Sequence, residues 1–379
     1  MRIALLMNLA PRKLGSLEDW ALAFGAEALG RGHEVDFFGS SPVHEVFATR
    51  LKQLGVGWND LESLKRSPTR AIRRLAKYHL INLTLFSTLE RCSLLAYAAV
   101  PARVILIDQI SGPIPGRPSP RNWRGAIPRQ LAYRLIGHRI DGVCAVTDYV
   151  RERERRRFAL PDRKAKTIYH GVDVRRFQAR RPRGTSSSGA RIICVAYLIP
   201  EKGVEYLVRA FAQMRDRTSR LTIVGDGPQA SMLRELADRS NVGDRVSFLG
   251  LRDDVEDLID QSDIFVHPAI WAEAFGFTIA EAMASERAVI ASRVGGIPEL
   301  IEHGRSGILI EPGDVSALTA ALDRLTEDAN FRLELGQNAR RRAVDKFDLK
   351  RSVRGHLDWY ESLIMGKAGD ARPLSAIHE

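Results

Sequence analysis

A chain of 379 residues that is 45% hydrophobic and 27% charged carries enough apolar material for two globular domains, which excludes a disordered or fibrous protein. No stretch approaches the ~18 continuous apolar residues of a membrane-spanning helix. Three scattered cysteines (Cys92, Cys144 and Cys194) offer neither a disulfide framework nor metal spacing, so a reducing cytoplasm is expected. The net charge of +11 is concentrated in residues 1–180, which hold 31 Lys+Arg against 16 Asp+Glu, whereas the remainder carries −4. Such an excess suits an anionic partner, and headgroups or an acidic substrate are expected rather than nucleic acid.

In chain order, "RIALLMN" reads as a buried strand rather than a signal peptide. The helix-like "SLEDWALAFGAEALGRG" and the strand "HEVDFFG" complete a first strand–helix–strand unit. "ARVILID" and "DGVCAVTDYV" continue the pattern. Lys65, Arg66, Arg70, Arg73, Arg74 and Lys77 share one window with Leu64, Ile72, Leu75 and Leu80, and Pro68 marks a helix start there. This basic, partly apolar element predicts docking on an anionic membrane surface. "ARRPRGTSSSGA" (179–190) has the composition of a linker. After it the alternation restarts with "RIICVAYL", "RLTIVGDG", "RVSFLG", "DIFVHPA", "AVIAS" and "GILI", each followed by a helical or turn segment. "KRSVRGHLDWYESLIM" predicts a last amphipathic helix, and "GKAGDARPLSAIHE" a frayed end. The pattern predicts an α/β protein of two doubly wound, Rossmann-like domains facing a cleft, over residues 1–180 and 181–348, with a final helix at 349–366. Ligands of such sheets bind beyond the carboxyl ends of the strands.

Several residues at those ends could carry chemistry. Gly225, Asp226 and Gly227 form a G-x-G turn completed by Ala230. A nicotinamide enzyme would place a carboxylate at the end of the next strand. That strand ends Leu249, Gly250, Leu251, Arg252, so an oxidoreductase ranks behind a phosphate-bearing ligand of another kind. Lys202 follows the first strand of the second half, where a cation can meet phosphate. In "AEAFGFTIAEAMA", Glu273 precedes a helix starting near Phe277 or Thr278, and Glu281 lies about one turn inside it. The amides of Gly276, Phe277 and Thr278 favour an anion. Carboxylates on either side fit hydroxyl groups: a sugar for one, a ribose for the other. Hydrolysis by the carboxylate pair leaves the phosphate-suited turns unused. With no D-x-D sequence and no histidine pair at ligand spacing, no metal site and no cofactor are expected.

In order, "PEKG" (200–203), "GDGP" (225–228), "FLG" (248–250), "DIFVHPA" (263–269), "EAFGFTIAEAMA" (273–284) and "GGIPELI" (295–301) resemble the family 4 glycosyltransferases, retaining enzymes of GT-B fold. "RGHEVDFF", "DGVCAVTDYVRERE" and "IYHGVDVRRF" match more loosely. The resemblance implies a hexosyltransferase acting on a nucleotide-sugar donor and a glycan or lipid-linked acceptor, and the cysteines and the basic window together predict a cytoplasmic enzyme peripheral on the inner face of a membrane. It implies that Glu273 contacts the donor sugar, Glu281 the ribose, and Lys202 with the amides of Phe275 to Thr278 the diphosphate, with Arg252 near the base. It implies too that the last helix crosses back onto the first domain. Two positions depart from the pattern: Tyr197 stands where the family usually has a second diphosphate cation, and Gln109, after Asp108, stands where many members have histidine. The glycine pair before the first helix is reduced to Gly15 followed by Ser16. Gly15, Ser16, Asp108 and Gln109 are the acceptor-side candidates. A non-catalytic GT-B protein binding nucleotide or glycan is the alternative that Tyr197 and Gln109 raise.

Overall fold

The computed structural model of the chain describes residues 1–8, 10–11, 15–84, 101–108, 112, 126–180 and 189–365. Gln109, Cys92, most of the expected linker (181–188) and the expected frayed end lie outside the described residues.

The first sheet contains β1 (Arg2–Met7), β2 (Glu34–Gly39), β3 (Gly57–Asp60), β4 (Leu80–Thr84), β5 (Arg103–Asp108), β6 (Gly142–Ala145) and β7 (Ala165–Thr167), in the order β3-β2-β1-β4-β5-β6-β7. The second contains β8 (Arg191–Val195), β9 (Arg220–Val224), β10 (Val246–Phe248), β11 (Ile264–His267), β12 (Ala288–Ser292) and β13 (Ile308–Ile310), in the order β10-β9-β8-β11-β12-β13. All the strand pairs are parallel, for example Ile3↔Val35 in the first sheet and Ile193↔Thr222 in the second. Such strands are covered on both faces, which is why "IALLM", "INLT" and "VIAS" are buried throughout instead of alternating. Each order reverses once, between β1 and β4 and between β8 and β11. There successive loops diverge and leave a crevice.

β3, β4 and β7 had no recognisable pattern in the sequence. β3 is a polar edge strand, β7 has three residues, and β4 follows directly on the basic window. Leu80, read there as part of a helix, is the first residue of β4. The basic window itself forms two short helices, Glu62–Arg66 and Pro68–Leu75, and Pro68 does open the second. Leu64, Ala71 and Leu75 are buried in the core of the first sheet, and Ile72 packs against it. Arg74 turns inward, donating to Asn59 Oδ1 (2.6 Å) and lying over the Phe38 ring. The outer face therefore offers the charges of Arg66, Arg70, Arg73 and Lys77 but no apolar stripe. Among the described residues no helix is long and apolar enough to cross a membrane.

The helix Leu349–Met365 packs against the first helix, Ser16–Gly30. Trp20 meets His356 edge-on (5.2 Å) and Phe24 meets Tyr360 (5.8 Å). Tyr360 accepts from Asn82 in β4 (2.7 Å). One hydrophobic cluster runs from Trp20 and Phe24 through Phe275 and Ile279 to Phe347 and Leu357, so the last helix and the first sheet share apolar burial with the second.

Candidate active site

The crevice of the second sheet is built by the loops after β8 and β11, the strands either side of its reversal. The two loops are tied together where Ile270 N donates to Glu201 O (2.9 Å). That tie brings Lys202 to Glu273 across 71 positions, and the Lys202 ammonium donates to Glu273 Oε1. Glu273 is 5% exposed, while the lysine side chain keeps access to the cleft. Gly295, at φ +55°, makes this loop possible: a Cβ there would stand 2.1 Å from Glu273 O. Gly296 N then donates to Glu273 O (2.8 Å).

His267, the last residue of β11, was overlooked in the sequence although it lies within "DIFVHPA". It is buried, and its Nε2 is 3.5 Å from Glu273 Oε1. Burial alone would raise the Glu273 pKa. His267 and Lys202 outweigh it and hold the carboxyl well below the usual range, so Glu273 is anionic at neutral pH.

The helix Phe277–Ala284 begins at Gly276, which has φ +97°. Among the described residues, the amides of Phe275, Gly276, Phe277 and Thr278 donate to no protein acceptor. The rings of Phe275 and Phe277 do not face this space as donor contacts; they hold the loop by packing on His170, at 5.8 and 4.8 Å. Glu281 is 7% exposed one turn later. Ser16 reaches it from the other half of the chain, 265 positions away, its hydroxyl donating to Glu281 Oε1. Ser16 thus stands beside the expected ribose carboxylate. Gly15 caps the helix Ser16–Gly30, its amide held by Glu18 (3.0 Å).

The turn at Gly225–Gly227 is not a phosphate cradle through its glycine amides: Gly225 N donates to Gly250 O (2.8 Å) and Gly227 N to Asp226 Oδ1 (2.8 Å). Gly225 is required because φ is +126° and a Cβ would lie 1.9 Å from Ala196 O. It brings β9 against the loop that carries Tyr197 and Lys202. Arg252 is exposed and paired with Asp254 through two hydrogen bonds (2.8 and 2.6 Å). Tyr197 is 58% exposed and cannot supply the charge of the cation it replaces. Asp108, at the end of β5, accepts from Arg153 (2.9 Å), which also holds buried Glu154 (2.9 Å). Burial and the nearby Asp108 raise the Glu154 pKa.

The two halves meet around this site at several points. Gly112 and Ala272 exchange backbone hydrogen bonds (2.9 and 3.0 Å), and Thr147 donates to Ala274 O (2.8 Å). Glu299 accepts from the amides of Asp148 and Tyr149 (2.7 and 2.8 Å) at a helix N-terminus. Arg176 forks onto Glu256 (3.1 and 2.9 Å) and reaches Asp19 (3.0 Å). Among the described residues no cluster of His, Cys, Asp and Glu could hold a metal ion.

The family model described as Glycosyl transferases group 1 matches residues 176–342, and that described as Glycosyltransferase Family 4 matches residues 18–176. Among curated relatives, the N-acetyl-alpha-D-glucosaminyl L-malate synthase of Bacillus anthracis is 32% identical over 200 residues, 51% of this chain and 52% of that protein. The MMP alpha-(1->4)-mannosyltransferase of Mycolicibacterium hassiacum is 30% identical over 257 residues, 65% and 60% of the two chains. The chain spans about half the length of the first of these relatives. Among solved structures, Anabaena HepE in complex with UDP superposes with a TM-score of 0.78 at 21% identity, over 96% of this chain and 100% of that one. The apo form of the lipopolysaccharide outer core galactosyltransferase WaaB gives 0.71 at 16%, over 97% and 100%. At these identities the structural likeness concerns the fold.

Proposed function

The chain belongs to the group 1, family 4 glycosyltransferases and has the GT-B fold, and on that premise we propose that it moves a hexose-type sugar from a nucleoside-diphosphate sugar to a hydroxyl of a glycan, lipid-linked or other anionic acceptor, with retention of anomeric configuration. The observation that carries this reading is the meeting of Lys202 with Glu273 beside the four unbonded amides of Phe275–Thr278. The diphosphate lies between the ammonium and those amides, whose fixed dipoles stabilise charge as the phosphate leaves. Glu273, held anionic by Lys202 and His267 beside it, accepts from hydroxyls of the sugar. Glu281 exchanges the Ser16 hydroxyl for those of the ribose. The acceptor oxygen attacks the anomeric carbon on the face the diphosphate leaves, a phosphate oxygen takes its proton, and the protein contributes position and charge. Lys202 and the amides perform the task often given to a metal, so no divalent ion and no cofactor enter this reading.

Thermal unfolding with UDP-, GDP- and ADP-sugars tests it. One of them, at 100 times its dissociation constant, adds about 2.7 kcal/mol. Nucleoside diphosphate is then released with a hydroxyl acceptor, and release continues in EDTA. Binding without release across acceptors points to a non-catalytic nucleotide or glycan binder. No shift with any nucleotide sugar, together with an absorbance change with NADH, points to an oxidoreductase.

We place the protein in the cytoplasm, at the inner face of a membrane, with Arg66, Arg70, Arg73 and Lys77 toward anionic headgroups. Because Leu64, Ala71 and Leu75 serve the core, attraction is electrostatic alone. Co-sedimentation with anionic vesicles at low salt that vanishes near 0.5 M salt is the expected result; a protein that stays in the supernatant at low salt removes the membrane step.

A further inference from the structure

A cavity of about 770 Å³ opens away from the donor crevice, between β7, the segment that follows it, and the start of the helix Leu349–Met365. None of Lys202, Glu273 or Glu281 lines it. Six cations do: Lys166, Arg175, Lys346, Lys350, Arg351 and Arg354. The two acids in its wall are already engaged. Asp348 Oδ1 caps its helix by accepting from the amides of Lys350 and Arg351 (2.9 and 3.1 Å). Asp358 Oδ1 accepts from Arg31 (2.6 Å).

Of the six cations, only Arg354 has a carboxylate of the described residues within ion-pair distance, Glu27 at 3.6 Å. The other five have none. The contrast with the helix Asp148–Phe158 is informative, since there Arg153, Arg155, Arg156 and Arg157 all pair with Glu152 or Glu154. Ser352 supplies a second, independent sign. It lines the cavity, is 4% exposed, and its hydroxyl has no hydrogen-bond partner among the described residues. A buried hydroxyl is normally satisfied. Five uncompensated cations around a concavity concentrate positive potential where low-dielectric walls focus it. The volume lies in the range of small-molecule sites.

We propose that this cavity is a second anion site, which binds a ligand carrying two or more phosphate charges. The cations take the phosphate oxygens and Ser352 supplies a buried donor. The site joins the two halves of the chain. Next to its lining residues in the chain, Val172 exchanges backbone hydrogen bonds with Phe347 and Leu349 (2.9 and 3.1 Å), and its wall includes Tyr169, whose hydroxyl reaches Glu299 (3.1 Å) at the interface of the halves. Occupancy therefore stabilises the junction at which the last helix returns to the first sheet. The assignment does not depend on the donor reading.

Inorganic pyrophosphate is the probe, titrated by calorimetry into full-length Lys202→Ala, in which the donor crevice has lost its cation. Saturable binding of one pyrophosphate is expected. Adding Lys350→Gln and Arg351→Gln is expected to weaken it at least tenfold, while the same pair in the otherwise unchanged protein leaves the nucleotide-sugar shift intact. Vesicles containing cardiolipin, whose headgroup carries two phosphates, form the second arm and identify the source of the phosphate. Vesicle binding reduced by the Lys350→Gln/Arg351→Gln pair assigns a lipid headgroup. Vesicle binding equal in both proteins, with pyrophosphate binding weakened, assigns a free phosphorylated compound. Pyrophosphate affinity and vesicle binding both unchanged by the pair overturn the site.

Discussion

Lys202→Ala lowers turnover with a nucleotide-sugar donor by about two to three orders of magnitude, the range for loss of one preorganised charge-stabilising group. Two losses act together. The leaving diphosphate loses its cation, and Glu273, buried and held anionic, loses the ammonium that donates to it. Tyr197 is the nearest replacement in sequence, and a phenol cannot restore a charge. Lys202→Arg, which keeps the cation, is expected to recover part of the rate. Glu273→Gln separates the roles: it removes the anion facing the sugar, so kcat falls while nucleoside-diphosphate affinity stays within a few-fold. Steady-state kinetics beside calorimetry decide. A Lys202→Ala protein within threefold of the original kcat, with unchanged donor affinity, ends this placement of the donor.

Acidification from pH 6.5 toward pH 4 destabilises the protein through two buried histidines. Burial lowers His170 to about 3, helped by neighbouring His356, and burial lowers His356 to about 4. Unfolded, each titrates near 6.5. Below that pH the unfolded chain binds protons the folded chain refuses, so stability falls with pH. The loss begins near 6.5 and saturates near 4 for His356 and near 3 for His170. Each contributes about 1.4 kcal/mol per pH unit, so at pH 4.5 the pair removes on the order of 5 kcal/mol, a large share of a typical folding free energy. Glu154, raised by burial and Asp108, acts in the opposite direction over the same window. The clean measurement is therefore a difference: urea unfolding of the protein and of His170→Gln across pH 4.5–6.5. The variant's slope is expected to be shallower by about 1.4 kcal/mol per pH unit. Equal slopes would falsify the assignment. His170 packs between Trp20 and the rings of Phe275 and Phe277, so the same protonation loosens the donor loop.

By itself the sequence determined the two parallel sheets, because buried strands and amphipathic helices are written in local periodicity that backbone sterics enforce. It also carried Lys202 and Glu273 in turns that follow strands, where crevices form, and Glu281 one turn inside the helix that comes next. β4 escaped because its five buried residues sit directly after the basic window. Only the tertiary structure decided what those residues touch. Ser16 meets Glu281 across 265 positions, and Arg176 ties Asp19 to Glu256. The amides of Gly225 and Gly227 proved to be occupied by the protein itself. His267 became part of the site only when β11 placed it against Glu273, and the apolar residues of the basic window turned inward. Six scattered cations came to line one cavity because the last helix returns to β7. The physical reason is common to all of these. Periodicity fixes which face of an element is buried, whereas hydrogen bonds and charge pairs between distant segments depend on how whole sheets and helices pack, which no local pattern encodes.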